Sequence, residues 1–430
     1  MPASSSAAEV MNFLNEVAGR YPAAVSLAAG RPTDVLFQRL SSADIAERID
    51  RYLVASGSSM SALLQYGRTA GAINALMADQ LEKDEGVPAA AERIVVTSGC
   101  QEAMSLCLSA LCRRREDVAL VCNPTYIGAT GAAAALGIAL QALTADGDGL
   151  AAAIDDAASA LRREGRRPTV LYLIPDFDNP TGRVLHRAQR LAILEACARH
   201  RIVVLEDNPY GLFRYEGEAM APMAALDSAG SVIYLSTYSK TLCPAVRVGS
   251  AVLPATLFGD RSAARALFDD VVQRKSYLTV NTGQIAQAIV GGHLLQHGSS
   301  LRDWIEPARV VYRENRDALL ARLDLNFGVA SRIFWNRPEG GFFLTVDLPF
   351  VFDADAVDEC ANDEGVIVMP MAFFALDRSQ DRRIRLAFSA VGPEQIAAGV
   401  DALGRYIGRR LEARTPRATQ AEPACLDMTT

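Results

Sequence analysis

Buried-strand patterns and helix patterns alternate along the middle of this 430-residue chain. Short runs of apolar, mostly β-branched residues are followed by longer segments with apolar residues every three or four positions. The predicted strands are 93–97, 118–122, 169–174, 202–205 and 231–235, and the helices between them include 101–111, 128–136 and 186–200. Such alternation is typical of a mostly parallel sheet covered by helices on both faces, so we predict an α/β fold.

The pattern changes near residue 300, which predicts a second, smaller α+β domain. A long helix over 301–323 is followed by a mixture of strands (331–335, 341–347, 365–369, 383–388) and helices (354–362, 393–411). We predict an N-terminal segment over 1–55 that is part of the small domain, a large domain over 56–299, a C-terminal small domain over 300–411, and a flexible tail over 412–430.

Composition and charge exclude several classes of function. The net charge of −7 argues against a nucleic-acid partner. There is no run of eighteen apolar residues for a membrane span and no secretory signal pattern at the start. The eight cysteines form no Cys-x-x-Cys pair, which favours free thiols and a cytoplasmic location. No metal site is predicted, because an ordinary helix face explains His293 and His297 better than a ligand pair.

A single lysine, Lys240, follows the predicted strand over 231–235. Hydroxyl side chains precede it, namely Ser236, Thr237, Tyr238 and Ser239, and Arg247 follows it. Hydroxyls and an arginine around a lysine favour an anion such as phosphate. Burial beside another positive charge lowers a lysine pKa, which suits an amine that forms a Schiff base. Taken alone, the stretch is equally compatible with a surface lysine beside a chance hydroxyl cluster.

Four further stretches of interest lie at or just after predicted strand ends. Gly99 stands at a strand-to-helix turn, where free N–H groups bind an anion. Tyr126 follows the next strand, although a core tyrosine is the more common explanation of such a residue. Asn179 lies in an Asn-Pro turn, and Asp207 ends an apolar strand shortly before Tyr210. With Lys240, these groups match the shape and charge of pyridoxal 5′-phosphate at the carboxyl edge of a parallel sheet.

The ordered combination resembles the fold-type I pyridoxal-phosphate enzymes of the class I and II aminotransferase group. The resemblance covers about residues 22–411 and is greatest to the branch that holds 2-aminoadipate transaminases and the catalytic domains of related transcription regulators. It implies a mostly parallel sheet of the seven-stranded type and a homodimer with shared active sites. It also implies transamination between an L-amino acid and a 2-oxo acid.

The resemblance also implies a role for each site residue. Lys240 would carry the cofactor, Asp207 would pair with its ring nitrogen, and Tyr210 would contact the ring oxygen; these are the implied catalytic residues. Asn179 would contact the ring oxygen as well as the substrate, and Tyr126 would stack on the ring. The implied phosphate-binding residues are Gly99, Cys100, Gln101, Thr237, Ser239, Arg247 and, from the partner subunit, Tyr66. Arg385 would bind the substrate carboxylate, and Gly30 would line the substrate side.

A finer resemblance concerns the 3,5-dihydroxyphenylglycine transaminases of glycopeptide-antibiotic pathways. It rests on the segments 125–132, 279–288 and 369–374. Two residues depart from the broader group, because Met371 replaces a usual glycine and Cys100 a usual small residue. Both departures predict a reshaped site. The candidates for the side-chain pocket are Arg31, Tyr277, Asn281 and Phe374.

Two alternatives to transamination remain open at this stage. The same residues support elimination, cyclisation, condensation or oxidation in natural-product biosynthesis, because an electron sink serves every α-carbanion. A ligand-sensing regulator also uses this cofactor domain, but it carries an additional N-terminal DNA-binding domain. The cofactor-domain pattern begins near residue 22, which disfavours the regulator.

Overall fold

The structure is a computed structural model that describes residues 16–328 and 332–412. Its strands are β1 (Val25–Ser26), β2 (Ile94–Thr97), β3 (Asp117–Cys122), β4 (Ala139–Leu143), β5 (Arg167–Leu173), β6 (Val203–Asp207), β7 (Val232–Thr237), β8 (Gly249–Val252), β9 (Phe334–Trp335), β10 (Phe343–Asp347), β11 (Val366–Ile367), β12 (Met369–Pro370) and β13 (Arg383–Ala387). The α-helices with both ends described are Ser42–Ser56, Met60–Leu63, Asn74–Glu85, Cys100–Leu111, Ile127–Ala135, Leu150–Arg163, Arg187–His200, Met223–Leu226, Arg261–Leu278, Gln284–Gln296, Arg302–Phe327, Ala354–Glu364 and Pro393–Glu412. The start of the predicted N-terminal segment (1–15) and the predicted tail after residue 412 lie outside the described residues.

The central sheet has seven strands in the order β2-β8-β7-β6-β5-β3-β4. Five neighbouring strands, from β7 to β4, run parallel to one another. Only β8 runs in the opposite direction, between β2 and β7. Most of their residues are buried, as the continuous apolar runs predict. The mostly parallel α/β fold is therefore confirmed.

Three elements of the large sheet layer were not predicted. They are the edge strand β4, the helix Leu150–Arg163 that packs on it, and the short strand β8. The sequence of β4 is Ala-Leu-Gln-Ala-Leu, which has no β-branched residue, and most of it is only half-buried. The strand β8 consists of Gly-Ser-Ala-Val. Neither has the composition that identifies a strand, so pairing with neighbouring strands decides their structure.

The small domain is built on a four-stranded antiparallel sheet in the order β12-β13-β10-β9. A separate parallel pair joins β1 to β11, so the chain near residue 25 lies beside the C-terminal part. The single strand predicted over 365–369 is wrong in one respect. It is divided into β11 and β12, which pair with different partners.

Two hydrophobic cores meet along the helix Arg302–Phe327. Trp304 and Tyr312 in its first half belong to the core of the large sheet. Leu319 and Leu323 in its second half belong to the core that also contains Leu27 and the small sheet. One helix therefore ties both cores together, and the cleft between them opens at the carboxyl ends of β5, β6 and β7. The predicted domain boundaries remain predictions.

Candidate active site

Lys240 lies in the cleft, three residues after β7 ends. Its Nζ donates a hydrogen bond of 3.0 Å to the carbonyl oxygen of Gly30. Burial, with the positive charges of Arg385 and Arg247, lowers the pKa of Lys240 to about 8. A larger fraction of this amine is therefore neutral at physiological pH than in an ordinary lysine, as a nucleophilic lysine requires.

The backbone at Gly30 passes unusually close to the small sheet. A Cβ at this position would lie 2.3 Å from Cζ of Phe343, so a side chain does not fit without displacement of that ring. The close approach brings the Gly30 carbonyl to the lysine. Gly30 lines the cavity, and its predicted place on the substrate side stays a prediction.

A cluster of hydrogen-bond donors lies at the start of the helix Cys100–Leu111. Gly99 precedes this helix with φ +83°, a conformation that favours glycine. Arg247 donates from Nη1 to the Ser239 hydroxyl at 3.0 Å and from Nη2 to the Ser98 carbonyl at 3.2 Å. A Cβ on Gly99 would lie 2.4 Å from that Nη2 atom. Helix N–H groups, hydroxyls and a guanidinium thus converge, as phosphate binding requires.

Two other predicted phosphate residues lie in the same region. The Thr237 hydroxyl donates to the Ser239 hydroxyl at 3.1 Å, which orients both groups. The Gln101 side chain donates to the carbonyl oxygen of Gly128 at 2.9 Å. Gln101 therefore connects the start of its own helix to the segment after Tyr126, and its backbone N–H remains at the helix start.

Asp207 is the last residue of β6 and is buried. Its Oδ1 accepts a hydrogen bond from Cys100 Sγ at 3.0 Å, and its Oδ2 accepts one from the Tyr172 hydroxyl at 2.7 Å. Burial raises the pKa of Asp207, while both donors act in the opposite direction. The contact with Tyr172 was not predicted. A tyrosine inside an otherwise apolar strand is the only sequence signal for it, because a buried hydroxyl needs a partner.

Aromatic and amide groups line the other side of the cavity. Burial raises the pKa of Tyr126 to about 12 and also raises the pKa of Tyr210, so both hydroxyls are neutral donors. The Tyr210 ring is held edge-on by Phe342 and Phe343, at 5.2 and 5.7 Å between ring centroids. Asn179 Oδ1 accepts a hydrogen bond from Arg385.

Arg385, on β13, is a buried cation in the lining of the cavity. Its Nη1 donates to Asn179 Oδ1 at 2.6 Å and its Nη2 to the Ala28 carbonyl at 2.5 Å. Its guanidinium lies 4.2 Å from the ring centroid of Phe343 and 4.7 Å from that of Phe374. Burial lowers the pKa of Arg385 to about 10, so it stays charged at neutral pH.

Most of the predicted site residues surround one cavity of about 560 Å³. Its lining includes Gly30, Cys100, Gln101, Tyr126, Asn179, Asp207, Tyr210, Thr237, Ser239, Lys240, Arg247 and Arg385. Gly99 lies immediately behind Arg247 and does not line the cavity. Tyr66 is 84% exposed and lies apart from it.

The structure separates the other candidate residues into two groups. Arg31 and Phe374 line the cavity, whereas Tyr277 and Asn281 do not. Met371 is fully buried in the small-domain core and does not reach the cavity either. Met371 can therefore reshape the site only through the packing of this core, and the predicted effect stays a prediction. Cys100, by contrast, contacts Asp207.

Comparison with known proteins identifies the family. Residues 25–403 match the sequence model of "Aminotransferase class I and II". The chain belongs to this aminotransferase family. The predicted aminotransferase activity follows from this membership and from relatives that are named aminotransferases.

Two sequences and one solved structure are similar to this aminotransferase over nearly its whole length. (S)-3,5-dihydroxyphenylglycine transaminase from Amycolatopsis orientalis is 38% identical and covers 95% of this chain and 93% of that protein. Aromatic-amino-acid aminotransferase 1 from Thermococcus litoralis is 28% identical and covers 90% and 89%, respectively. The structure of LysN, an α-aminoadipate aminotransferase from Thermus thermophilus, is 29% identical, covers 93% of this chain and 95% of that chain, and has a TM-score of 0.77.

These comparisons confirm the predicted fold and cofactor of this aminotransferase. The LysN structure holds N-(5′-phosphopyridoxyl)-L-leucine, a compound of the cofactor with an amino acid. The architecture is that of fold-type I enzymes, and the cofactor is pyridoxal 5′-phosphate. No helix in the described ranges is long and apolar enough to cross a membrane. In the same ranges, no three histidine, cysteine or acidic side chains are grouped as a metal site.

Proposed function

We propose that this aminotransferase takes an L-amino acid with an aromatic or apolar side chain, arylglycines included, as its amino donor. The observation that carries the proposal is the apolar wall beside Arg385, formed by Ile127, Ile367, Met369 and Phe374. Among the described lining residues, Asp207 is the only acidic one, so a cationic side chain finds no partner beyond the cofactor site. The names of the two sequence relatives point to aromatic donors as well.

The residues of the cavity fit pyridoxal 5′-phosphate. The volume of about 560 Å³ holds a cofactor together with a small amino acid. Gly99 keeps open the space that a Cβ would fill against Arg247, where the phosphate would be bound. We propose that Gly99, Cys100, Gln101, Thr237, Ser239 and Arg247 bind the phosphate, Asp207 the ring nitrogen, Asn179 and Tyr210 the ring oxygen, Tyr126 the ring face, and Lys240 the aldehyde carbon.

When bound, pyridoxal phosphate supplies an electron-withdrawing ring that stabilises negative charge at the substrate α-carbon. Lys240 then acts as the general base that removes the α-proton, which its lowered pKa favours. Arg385 binds the α-carboxylate. Its Nε has no hydrogen-bond partner among the described residues, and its two acceptors, on Asn179 and Ala28, are uncharged, so its positive charge is not neutralised. The same lysine would return the proton, and water would then release the 2-oxo acid while the amino group stays with the cofactor.

Titration of the purified enzyme with single amino donors tests the donor class. Phenylalanine, phenylglycine, 3,5-dihydroxyphenylglycine, leucine, 2-aminoadipate and aspartate are each added without an oxo acid, and conversion of the cofactor to its amine form is followed by absorbance. We expect the aromatic donors to convert it at the lowest concentrations. If aspartate or 2-aminoadipate converted the cofactor at the lowest concentration, the donor class would be acidic. Arg31, an exposed cation in the lining, would then be the group that recognises the donor's side-chain carboxylate. No conversion by any donor would favour elimination, cyclisation, condensation or oxidation.

We further propose a homodimer with shared active sites. Two adjoining segments expose apolar side chains, Met60, Leu64 and Tyr66 on one and Tyr277, Leu278, Val280 and Ile285 on the other. The helix Met60–Leu63 packs against Gln284–Gln296, so the two segments form one surface. An exposed apolar surface of this kind fits a second copy of the chain. In that dimer, Tyr66 would reach the phosphate of the partner's cofactor.

The pathway and the cellular location also remain proposals. Antibiotic biosynthesis is supported by the name of the Amycolatopsis relative and by the segments that resemble such transaminases. A cytoplasmic location is supported by the cysteines, which are all free in the part of the chain that the structure describes.

A further inference from the structure

The Asp207 carboxylate is held by two neutral donors, one on each oxygen. The Tyr172 hydroxyl lies 2.7 Å from Oδ2, and the Cys100 thiol lies 3.0 Å from Oδ1. Within the described ranges, no lysine, arginine or histidine forms an ion pair with Asp207. Ionisation of this buried group therefore depends on the two donors and on whatever cation enters the cavity.

Both donors lie on rigid elements. Tyr172 is near the end of β5, where it is paired with Leu205 of β6, and its side chain is 1% exposed. Cys100 is the first residue of the helix Cys100–Leu111. Burial raises the pKa of both groups, so they remain protonated. Each therefore donates a hydrogen bond to Asp207. Since both donor elements are anchored in the large-domain core, they also define the plane of the carboxylate.

The arrangement leaves room for a third donor. Each carboxylate oxygen offers two lone pairs, and each uses one for Tyr172 or Cys100. A further lone pair on either oxygen is available for a ring N–H in the cavity. Donors to the charged form of a carboxylate favour that form, so they keep a shared proton on the ring nitrogen and not on the aspartate.

We propose that Tyr172 and Cys100 are positioning residues that orient Asp207 and keep it ionised against the nitrogen of the cofactor ring. The proposal rests on the proposed role of Asp207 at that nitrogen. Cys100 then has two roles. Its side chain acts on the ring nitrogen through Asp207, and its backbone binds the phosphate. The first role explains how a cysteine at this position affects the site.

The chain offers a matched control for Tyr172. Tyr234 lies on β7, on the other side of β6, is fully buried and also donates to a carboxylate, that of Glu85. Tyr172→Phe and Tyr234→Phe therefore remove the same buried hydroxyl from the same kind of bond. Only the first change affects Asp207.

The first readout is the affinity of the cofactor-free protein for pyridoxal phosphate, measured by fluorescence titration. We expect Tyr172→Phe to weaken binding about ten- to hundred-fold, because a hydrogen bond to a charged group is lost. Tyr234→Phe should bind as the wild type does. Equal affinity of Tyr172→Phe and wild type would overturn the proposal, and so would equal losses in both variants, because a general structural effect would then explain them.

The second readout is the pH at which the visible absorbance of the bound cofactor changes. A less ionised Asp207 leaves less positive charge on the ring. The Lys240 nitrogen that is bonded to the cofactor then keeps its proton to higher pH. We expect the midpoint to move upward in Tyr172→Phe and, by a smaller amount, in Cys100→Ala, since a thiol is a weak donor.

Cys100→Ser should have the wild-type midpoint, because serine supplies a hydroxyl donor in place of the thiol. Cys107→Ala, a buried thiol on the same helix, is the control. An unchanged midpoint in both Tyr172→Phe and Cys100→Ala would contradict the proposal, and the cysteine series decides the matter if Tyr172→Phe does not fold.

Asp207→Asn separates this proposal from the one on which it rests. If Asp207→Asn binds the cofactor as tightly as the wild type, with an unchanged midpoint, the proposed role of Asp207 is wrong. If Asp207→Asn loses affinity while the Tyr172 and Cys100 variants do not, only the positioning role is wrong.

Discussion

The Arg385 guanidinium donates a hydrogen bond of 2.6 Å to Oδ1 of Asn179, a residue 206 positions earlier in the chain. Arg385 belongs to the small antiparallel sheet, and Asn179 follows β5 of the large sheet. This bond crosses the cleft between the two cores, and both residues line the cavity. Neutral acceptors hold the guanidinium, so its charge is free to bind an anionic substrate group.

Arg385→Lys should lower kcat/KM for the best amino donor by about a hundred-fold, mainly through a higher KM, because an ammonium cannot replace a bidentate guanidinium. Steady-state kinetics measure the effect. Arg383→Lys is the control, since Arg383 lies on the same strand but pairs with Asp347 away from the cavity. Comparable losses in the two variants would mean that the strand itself is disturbed and that Arg385 has no special role.

Lys240→Ala should remove the covalent bond between protein and cofactor. Borohydride reduction of the wild type should add the cofactor mass to the peptide that contains Lys240, and the variant should show no such addition. Its transaminase rate should fall about a thousand-fold or more, because the general base is lost. Lys83→Ala, an exposed lysine that donates to the Gly298 carbonyl, should behave as the wild type. A cofactor adduct on another lysine of Lys240→Ala would disprove the assignment.

The reactivity of Lys240 should depend on pH with a midpoint near its lowered pKa of about 8. The neutral amine reacts, so the rate at which the cofactor-free protein is trapped by pyridoxal and borohydride should rise as pH increases through this value. Arg247→Gln removes a positive charge that lowers the pKa, so the midpoint should move to higher pH. Pyridoxal without phosphate is used so that loss of the phosphate contact does not interfere. A wild-type midpoint near the ordinary lysine value of about 10.4 would contradict the prediction.

A hybrid dimer should regain activity from two inactive variants. If Tyr66 of one subunit completes the site of the other, a dimer of Lys240→Ala and Tyr66→Ala subunits contains one complete site and one that lacks both residues. We expect each variant alone to be impaired and their refolded mixture to recover a measurable part of the wild-type rate. Leu64→Ala in place of Tyr66→Ala is a control, because Leu64 is exposed on the same surface and is not predicted to contact the phosphate. A mixture with no more activity than the two variants separately would argue against shared sites.

The sequence predicted β2, β3, β5, β6 and β7 well, because their apolar, mostly β-branched runs are buried on both faces. It did not identify β4 or β8, whose residues are alanine, leucine, glutamine, glycine and serine in all but one position. These strands form because β3 and β7 offer unpaired backbone groups at the right place. The strand over 365–369 was divided for a similar reason, since β1 pairs with its first half and β13 with its second half.

The order of polar residues at strand ends determined the cofactor chemistry by itself. Lys240, Asp207 and Asn179 follow different strands, and carboxyl ends of parallel strands meet at one edge of a sheet, so these side chains had to converge. Only the tertiary structure decided which groups touch them. The order β7-β6-β5 brings the Tyr172 hydroxyl to Asp207, the helix start brings Cys100, and the small sheet brings Arg385 between Phe343 and Phe374. Local patterns reveal which face of an element is buried, but contacts between residues far apart in the chain depend on how the elements are arranged.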